Sequence, residues 1–128
     1  MNSVIRLVIV SILMMVAAPA YSDAAMHYFK CEQHNDATDE ELEEVASAWL
    51  KAARGMKGGK DFKAYLNFPV VAQMGAYDFF FVIVAPSLAE WGEFMAGYSG
   101  SPAEAVDEDF GNKADCPDSV LFEAVIVE

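Results

Sequence analysis

Apolar and polar positions alternate along the chain with two periods, and one stretch departs from both. Tyr77-Asp-Phe-Phe-Phe-Val-Ile-Val-Ala85 is nearly all apolar. Its aromatic and β-branched content, and its length, predict a strand. Tyr77, Phe79, Phe81 and Ile83 face one way; Phe80, Val82 and Val84 face the other. Both faces require burial, so the pattern predicts a central strand with a layer on each side.

The other elements follow in order. Ala25 to Glu32 predicts a first strand, with His27, Phe29 and Cys31 on one face and Met26, Tyr28 and Lys30 on the other. Thr38 and Glu41 have the spacing of a capping box. Leu42, Val45, Ala46, Trp49, Leu50 and Ala53 then form one apolar stripe of a helix. Acidic residues crowd its start, and Lys51, Arg54 and Lys57 its end, as the helix dipole favours. Lys57-Gly-Gly-Lys60 reads as a flexible connection. Ala64 to Gln73 predicts a second strand, placed at a sheet edge by Pro69, which cannot donate to a ladder. Met74-Gly75-Ala76 turns it into the Phe-rich strand.

Ser87 and Glu90 open a second helix carrying Leu88, Trp91, Phe94, Met95 and Tyr98. Ser101-Pro102 starts one or two further helical turns, ending near Phe110-Gly111. Asn112 to Asp118 reads as a loop, and Ser119 to Val127 as a last strand, apolar on both faces. The acidic run Asp107-Glu108-Asp109 lacks a calcium-loop pattern and reads as a solvated helix end.

Strand, helix, strand, strand, helix, strand is the split βαβ, or ferredoxin-like, pattern of an α+β domain. Its antiparallel sheet has the order 4-1-3-2. The Phe-rich strand then falls in the centre and the Pro69 strand at an edge.

The N-terminus does not belong to that domain. Arg6 precedes an apolar run from Leu7 to Ala18 broken only by Ser11; Ala18-Pro19-Ala20 then offers small residues for cleavage, with Ala20-Tyr21-Ser22 as a second possibility. This predicts a secretory signal peptide over residues 1–22, because about 20 apolar residues are needed to span a bilayer and this run is shorter. The single domain occupies 23–128. The whole chain carries a net charge of −12. Without Arg6, seven Lys and Arg face twenty Asp and Glu, giving a charge near −13. Such a surface repels nucleic acid and anionic membrane, so neither is expected as a partner. Two cysteines and an exported chain suggest a disulfide, with two free thiols or a metal pair as the alternatives. The absence of CxxC spacing and the presence of only two His argue against a structural zinc site, so no metal or cofactor is expected. In the ferredoxin-like order, the end of the first strand lies beside the start of the last, which brings Cys31 near Cys116.

Two helices cover one sheet face, and the other keeps Phe, Val and Ile. In this element order and these two-faced strands, residues 25–128 resemble the dimeric α/β-barrel superfamily. The resemblance implies a homodimer packed sheet on sheet. It also implies a small-molecule cavity between helices and sheet, to which Tyr28, Trp49, Trp91 and Tyr98 are assigned. Helical spacing alone makes such aromatics core. Members include cofactor-independent monooxygenases, haem-degrading enzymes, isomerases and stress-response proteins. Haem-degrading members use a His on the second helix, and no His lies between Ser87 and Gly100.

His27 is the one histidine on a strand, and the antiparallel register sets it opposite roughly residues 120–123. Glu123 is its candidate partner in a general-base pair; the plainer reading is a packed His at a strand end. His34, among Gln33, Asn35 and Asp36, reads as solvated surface. The expectation is an exported dimeric α/β-barrel domain binding a small apolar molecule. A cofactor-independent monooxygenase-like enzyme using His27 and Glu123 is the alternative, and a structural or partner-binding exported protein the third reading.

Overall fold

A computed structural model describes residues 23–127. The expected signal peptide lies outside the described residues. The elements run β1 (Ala24–Gln33), α1 (Asp39–Arg54), β2 (Lys63–Asn67), β3 (Phe79–Ala85), α2 (Leu88–Ala96), α3 (Pro102–Gly111) and β4 (Ala114–Ala124). The sheet order is β2-β3-β1-β4, with every pair antiparallel. This is the ferredoxin-like arrangement, 4-1-3-2 read from the other edge.

β3 lies inside the sheet, between β2 and β1. Phe79, Phe81 and Ile83 are buried on its helix side, and Val82 is buried on the opposite side. The helix-side residues join one core with Ala25 and Cys31 of β1, Leu42 and Trp49 of α1, Trp91 and Phe94 of α2, and Ala103 and Phe110 of α3. All three helices therefore pack on one face.

Each helix starts where its cap dictates. Thr38 accepts the Glu41 amide while the Glu41 carboxylate accepts the Thr38 amide, completing the box. Ser87 caps α2 by accepting the Glu90 amide, but the Glu90 side chain takes the Ser87 hydroxyl rather than its backbone N–H. Ser101 caps α3, and Pro102 opens it. The third helix is ten residues long, more than the one or two turns expected.

Three sequence expectations need correcting. First, β2 ends at Asn67, so Pro69 lies beyond it. The last β2–β3 pair is Asn67 with Phe80, close to the start of β3, so the chain beyond has almost no strand to pair with. Val70 and Val71 are 96% and 94% exposed. Second, β4 begins at Ala114, absorbing the expected loop, and stops at Ala124. Between the pairs Lys30–Asp118 and Glu32–Asp115, Cys116 and Pro117 together oppose Cys31. That is a β-bulge on an edge strand, where a residue without an N–H is tolerated. β4 stops at Ala124 because Ala24, its partner there, is the first residue of β1. Third, the Lys57–Lys60 connection is a packed joint. Gly58 has φ 83°, and a Cβ there would meet the backbone of Glu90 and Phe94 in α2. Phe62, which no predicted element contained, is fully buried at the end of this joint against Trp91 and Phe94.

Cys31 and Cys116 form a disulfide across the bulge, with Cα atoms 4.1 Å apart and a sequence separation of 85. In the chain-entropy model, closing a loop of that length stabilises the fold by about 3–5 kcal/mol.

Candidate functional site

A cavity of about 340 Å³ opens between the sheet and the helices. The strands supply its floor: His27 and Phe29 from β1, Phe81 and Ile83 from β3, and Cys116 from β4. Strand periodicity explains this set, since alternate residues of β1 and β3 point to the helix side. Trp49 of α1, Trp91 and Phe94 of α2, and Phe110 of α3 form the walls. Tyr98, just beyond α2, continues the Trp91, Phe94, Met95 stripe at helical spacing. Asp107 and Asp115 bring carboxylates to the lining, while no Lys or Arg lines it.

The aromatic rings hold one another at edge-on, tilted and stacked angles. Trp49 meets Phe81 edge-on at 5.5 Å and Phe94 at 5.8 Å. His27 meets Trp91 edge-on at 4.9 Å. Such contacts fix ring orientation as well as burying area.

The polar groups are few, and several lack full partners. His27 Nε2 lies 2.9 Å from Ser119 Oγ, while buried Nδ1 has no hydrogen-bond partner. Burial pushes the imidazole below its ordinary value of 6.5, so the neutral ring is favoured. Trp49 Nε1 is also buried without a full hydrogen bond. It is close enough to the Tyr98 phenol to lower its pKa, though it makes no hydrogen bond of normal geometry. Burial, reinforced by the Asp107 carboxyl, pushes Tyr98 up to about 12, so it stays a neutral phenol. Asp107 lies at the cavity mouth with much of its surface open. The protein around its carboxyl nevertheless desolvates it enough to raise its pKa, against the opposing pull of the Tyr98 phenol, and Glu104 adds repulsion.

The structure brings His27, Trp49, Trp91 and Tyr98 together around this cavity. Tyr28, assigned to the pocket in the sequence reading, faces the other side of the sheet. There it contacts Phe80 and Phe122 edge-on, because it is one residue out of phase with His27. Glu123 stands opposite Ala25, and Leu121 opposite His27. The hydrogen-bond partner of His27 is Ser119 rather than Glu123. His34, read as solvated surface, does lie at the surface and is held there: its Nε2 meets Asp115 at 2.9 Å and its Nδ1 the Asn112 carbonyl at 3.2 Å. The Asp115 hydrogen bond is the main reason its pKa is raised.

Asp107 was hidden inside an acidic run. A signal existed, since Ala103, Asp107 and Phe110 share one helical face and the other two are buried. Among the described residues, no three His, Cys, Asp or Glu converge as metal ligands.

No family model and no curated protein sequence matches the chain. Solved structures share its fold. SnoaB, a cofactor-independent oxygenase from Streptomyces nogalater, superposes with a TM-score of 0.56 at 12% identity, covering 83% of this chain and 97% of that one. A protein from Arabidopsis thaliana gives 0.57 at 12% identity, over 81% and 96% of the two chains. A dimeric protein of unknown function with a ferredoxin-like fold, from Bacteroides fragilis, gives 0.48 at 12% identity, over 80% and 98%. At these identities the likeness is one of fold. The chain thus shares the fold of these proteins.

Proposed function

We propose that this protein is an exported homodimer that binds a small, largely aromatic molecule in the cavity between its sheet and helices. One observation carries the reading. A cavity of about 340 Å³, walled by rings, holds the buried and unpartnered polar atoms His27 Nδ1 and Trp49 Nε1. Ligand sites typically enclose about 300–1,000 Å³, mostly apolar, with a few placed polar groups. Buried polar atoms without partners cost free energy, which a ligand's hydrogen bonds would recover. The disulfide supports export, since such bonds persist in oxidising compartments. The apolar sheet face opposite the helices supports the homodimer.

Naphthol, a bicyclic phenol, is a suitable probe. It should raise the melting temperature with a saturable dose response, and Trp91→Ala should reduce that shift. A flat response across soluble concentrations, with the fold intact, removes the ligand-site reading.

A second reading is a cofactor-independent oxygenase. It is favoured by a neutral imidazole at the cavity floor and by the fold shared with SnoaB. His27 would act as the base that takes a proton from a hydroquinone-like substrate, with Ser119 in the supporting position first given to Glu123. Oxygen uptake with a naphthohydroquinone, compared between the native protein and His27→Ala, tests it. Uptake unchanged by the substitution removes His27 from any such reaction.

A further inference from the structure

We propose that the cavity takes an organic cation, with an aromatic or alkyl body among the rings and a quaternary or protonated amine at the Asp107 mouth. This rests on the reading of the cavity as a ligand site. It adds the chemical class of the ligand.

Three observations converge. The first is the charge of the lining: two carboxylates, Asp107 and Asp115, and no Lys or Arg. His27 adds no positive charge while its ring stays neutral. An anionic ligand would enter against both carboxylates and find no counter-charge.

The second is that the two carboxylates differ. Asp115 already has the His34 ring 2.9 Å away, an ion pair whenever that ring is protonated, and the His34 pKa is raised. Asp107 makes no ion pair among the described residues; the neighbouring Tyr98 phenol favours its charged form, but desolvation by the surrounding protein outweighs that support. A cation at the mouth would give it a counter-charge, whereas a neutral ligand would desolvate it further.

The third is the wall. Trp49, Trp91, Tyr98 and Phe110 present rings to the cavity, and indole and phenol faces attract cations. Trp49 is 3% exposed with its Nε1 unpartnered, so the wall also offers one donor to an acceptor oxygen on the ligand. An amine that also carries an ether or carbonyl oxygen meets both requirements. The net charge of −12 would draw such a ligand in.

The test compares choline phenyl ether with neohexyl phenyl ether, in which carbon replaces the charged nitrogen. Binding is measured by calorimetry on the full domain with its disulfide intact, and naphthol is run alongside. The cation should bind about tenfold tighter than its neutral counterpart. Asp107→Asn should remove that difference while naphthol binding persists, and added salt should weaken the cation alone. Equal or tighter binding of the neutral ether overturns the cation proposal, as does a preference that survives Asp107→Asn. In either case naphthol binding leaves the ligand site standing. If neither ether nor naphthol binds, the site and the cation proposal fall together.

Discussion

His27 of β1 and Ser119 of β4 lie 2.9 Å apart across the sheet, joined through the ring Nε2. That contact anchors one ring nitrogen and leaves the other buried without a partner. The second histidine has the opposite environment. His34 meets Asp115 and the Asn112 carbonyl at the surface. Their titrations should therefore diverge. Burial lowers His27, so the unfolded chain takes up its proton near 6.5 before the folded ring does. Stability from this group is present above pH 6.5 and is lost as the pH falls through the folded value. His34 is raised, chiefly by its Asp115 hydrogen bond. Its contribution is present below pH 6.5 and is lost as the pH rises through the folded value. NMR titration of the two imidazoles should place His27 below and His34 above 6.5. His27→Gln should flatten the acid side of the melting-temperature profile, and Asp115→Asn should return His34 towards its ordinary value. Coincident midpoints for the two rings contradict this account.

The joint between α1 and β2 offers a test of packing. Gly58 has φ 83°, and a Cβ there would lie 2.7 Å from Phe94 N and closer still to the Glu90 carbonyl oxygen. Both neighbours are helix backbone and cannot swing away. Gly75 also has a positive φ, of 66°, but a Cβ there meets nothing within 4 Å. Gly75→Ala should therefore cost only the left-handed strain, about 1 kcal/mol. Gly58→Ala carries the same strain plus displacement of α2, about 2–4 kcal/mol together. Urea unfolding of the two variants measures the difference. Equal costs would mean that α2 is not seated on this joint.

Two physical signals made most of the architecture legible. The period of two in β3 put Phe79 and Val82 on opposite sides, and a strand greasy on both sides has to be central. The Thr38–Glu41 spacing fixed the start of α1. The misreadings fall where pairing overrides local pattern. Phe68 to Val71 looks like strand but lies next to the start of β3, where partners run out. Pro117 looks like a loop residue, yet a bulge on an edge strand accommodates it. The site was half legible. Trp49, Trp91 and Tyr98 followed from helical spacing. Ser119 and Asp107 did not, because register and the facing of a short helix depend on contacts distant in sequence. Glu123 was a natural guess for the His27 partner. It and Ser119 both lie two residues from Leu121, the residue opposite His27, and only Ser119 is bonded to the ring.

The sheet face away from the helices carries Met26 and Tyr28 of β1, Phe80, Val82 and Val84 of β3, and Val120 and Phe122 of β4. These positions follow from the register, which pairs Tyr28 with Val82 on one side and Val120 on the other. Tyr28 and Phe122 meet edge-on at 5.6 Å, and Phe122 remains 51% exposed. Tyr65 on the far edge strand is 49% exposed. The apolar set thus extends across all four strands, a layout that a self-complementary two-fold contact would cover. The rim carries charge: Lys30 lies over the Tyr77 ring, and Tyr77 donates to Asp118. A charged residue placed among these apolar side chains should be far more damaging to assembly than a change at the charged rim. Phe122→Glu should convert a dimer to monomers at micromolar concentration, because a carboxylate buried in an apolar contact has neither partner nor solvent. Lys30→Gln should leave the dimer intact. Sedimentation velocity across a dilution series reads both outcomes. A native protein that sediments as a monomer at every concentration, with Phe122→Glu behaving identically, would mean that this face is covered by something other than a second copy.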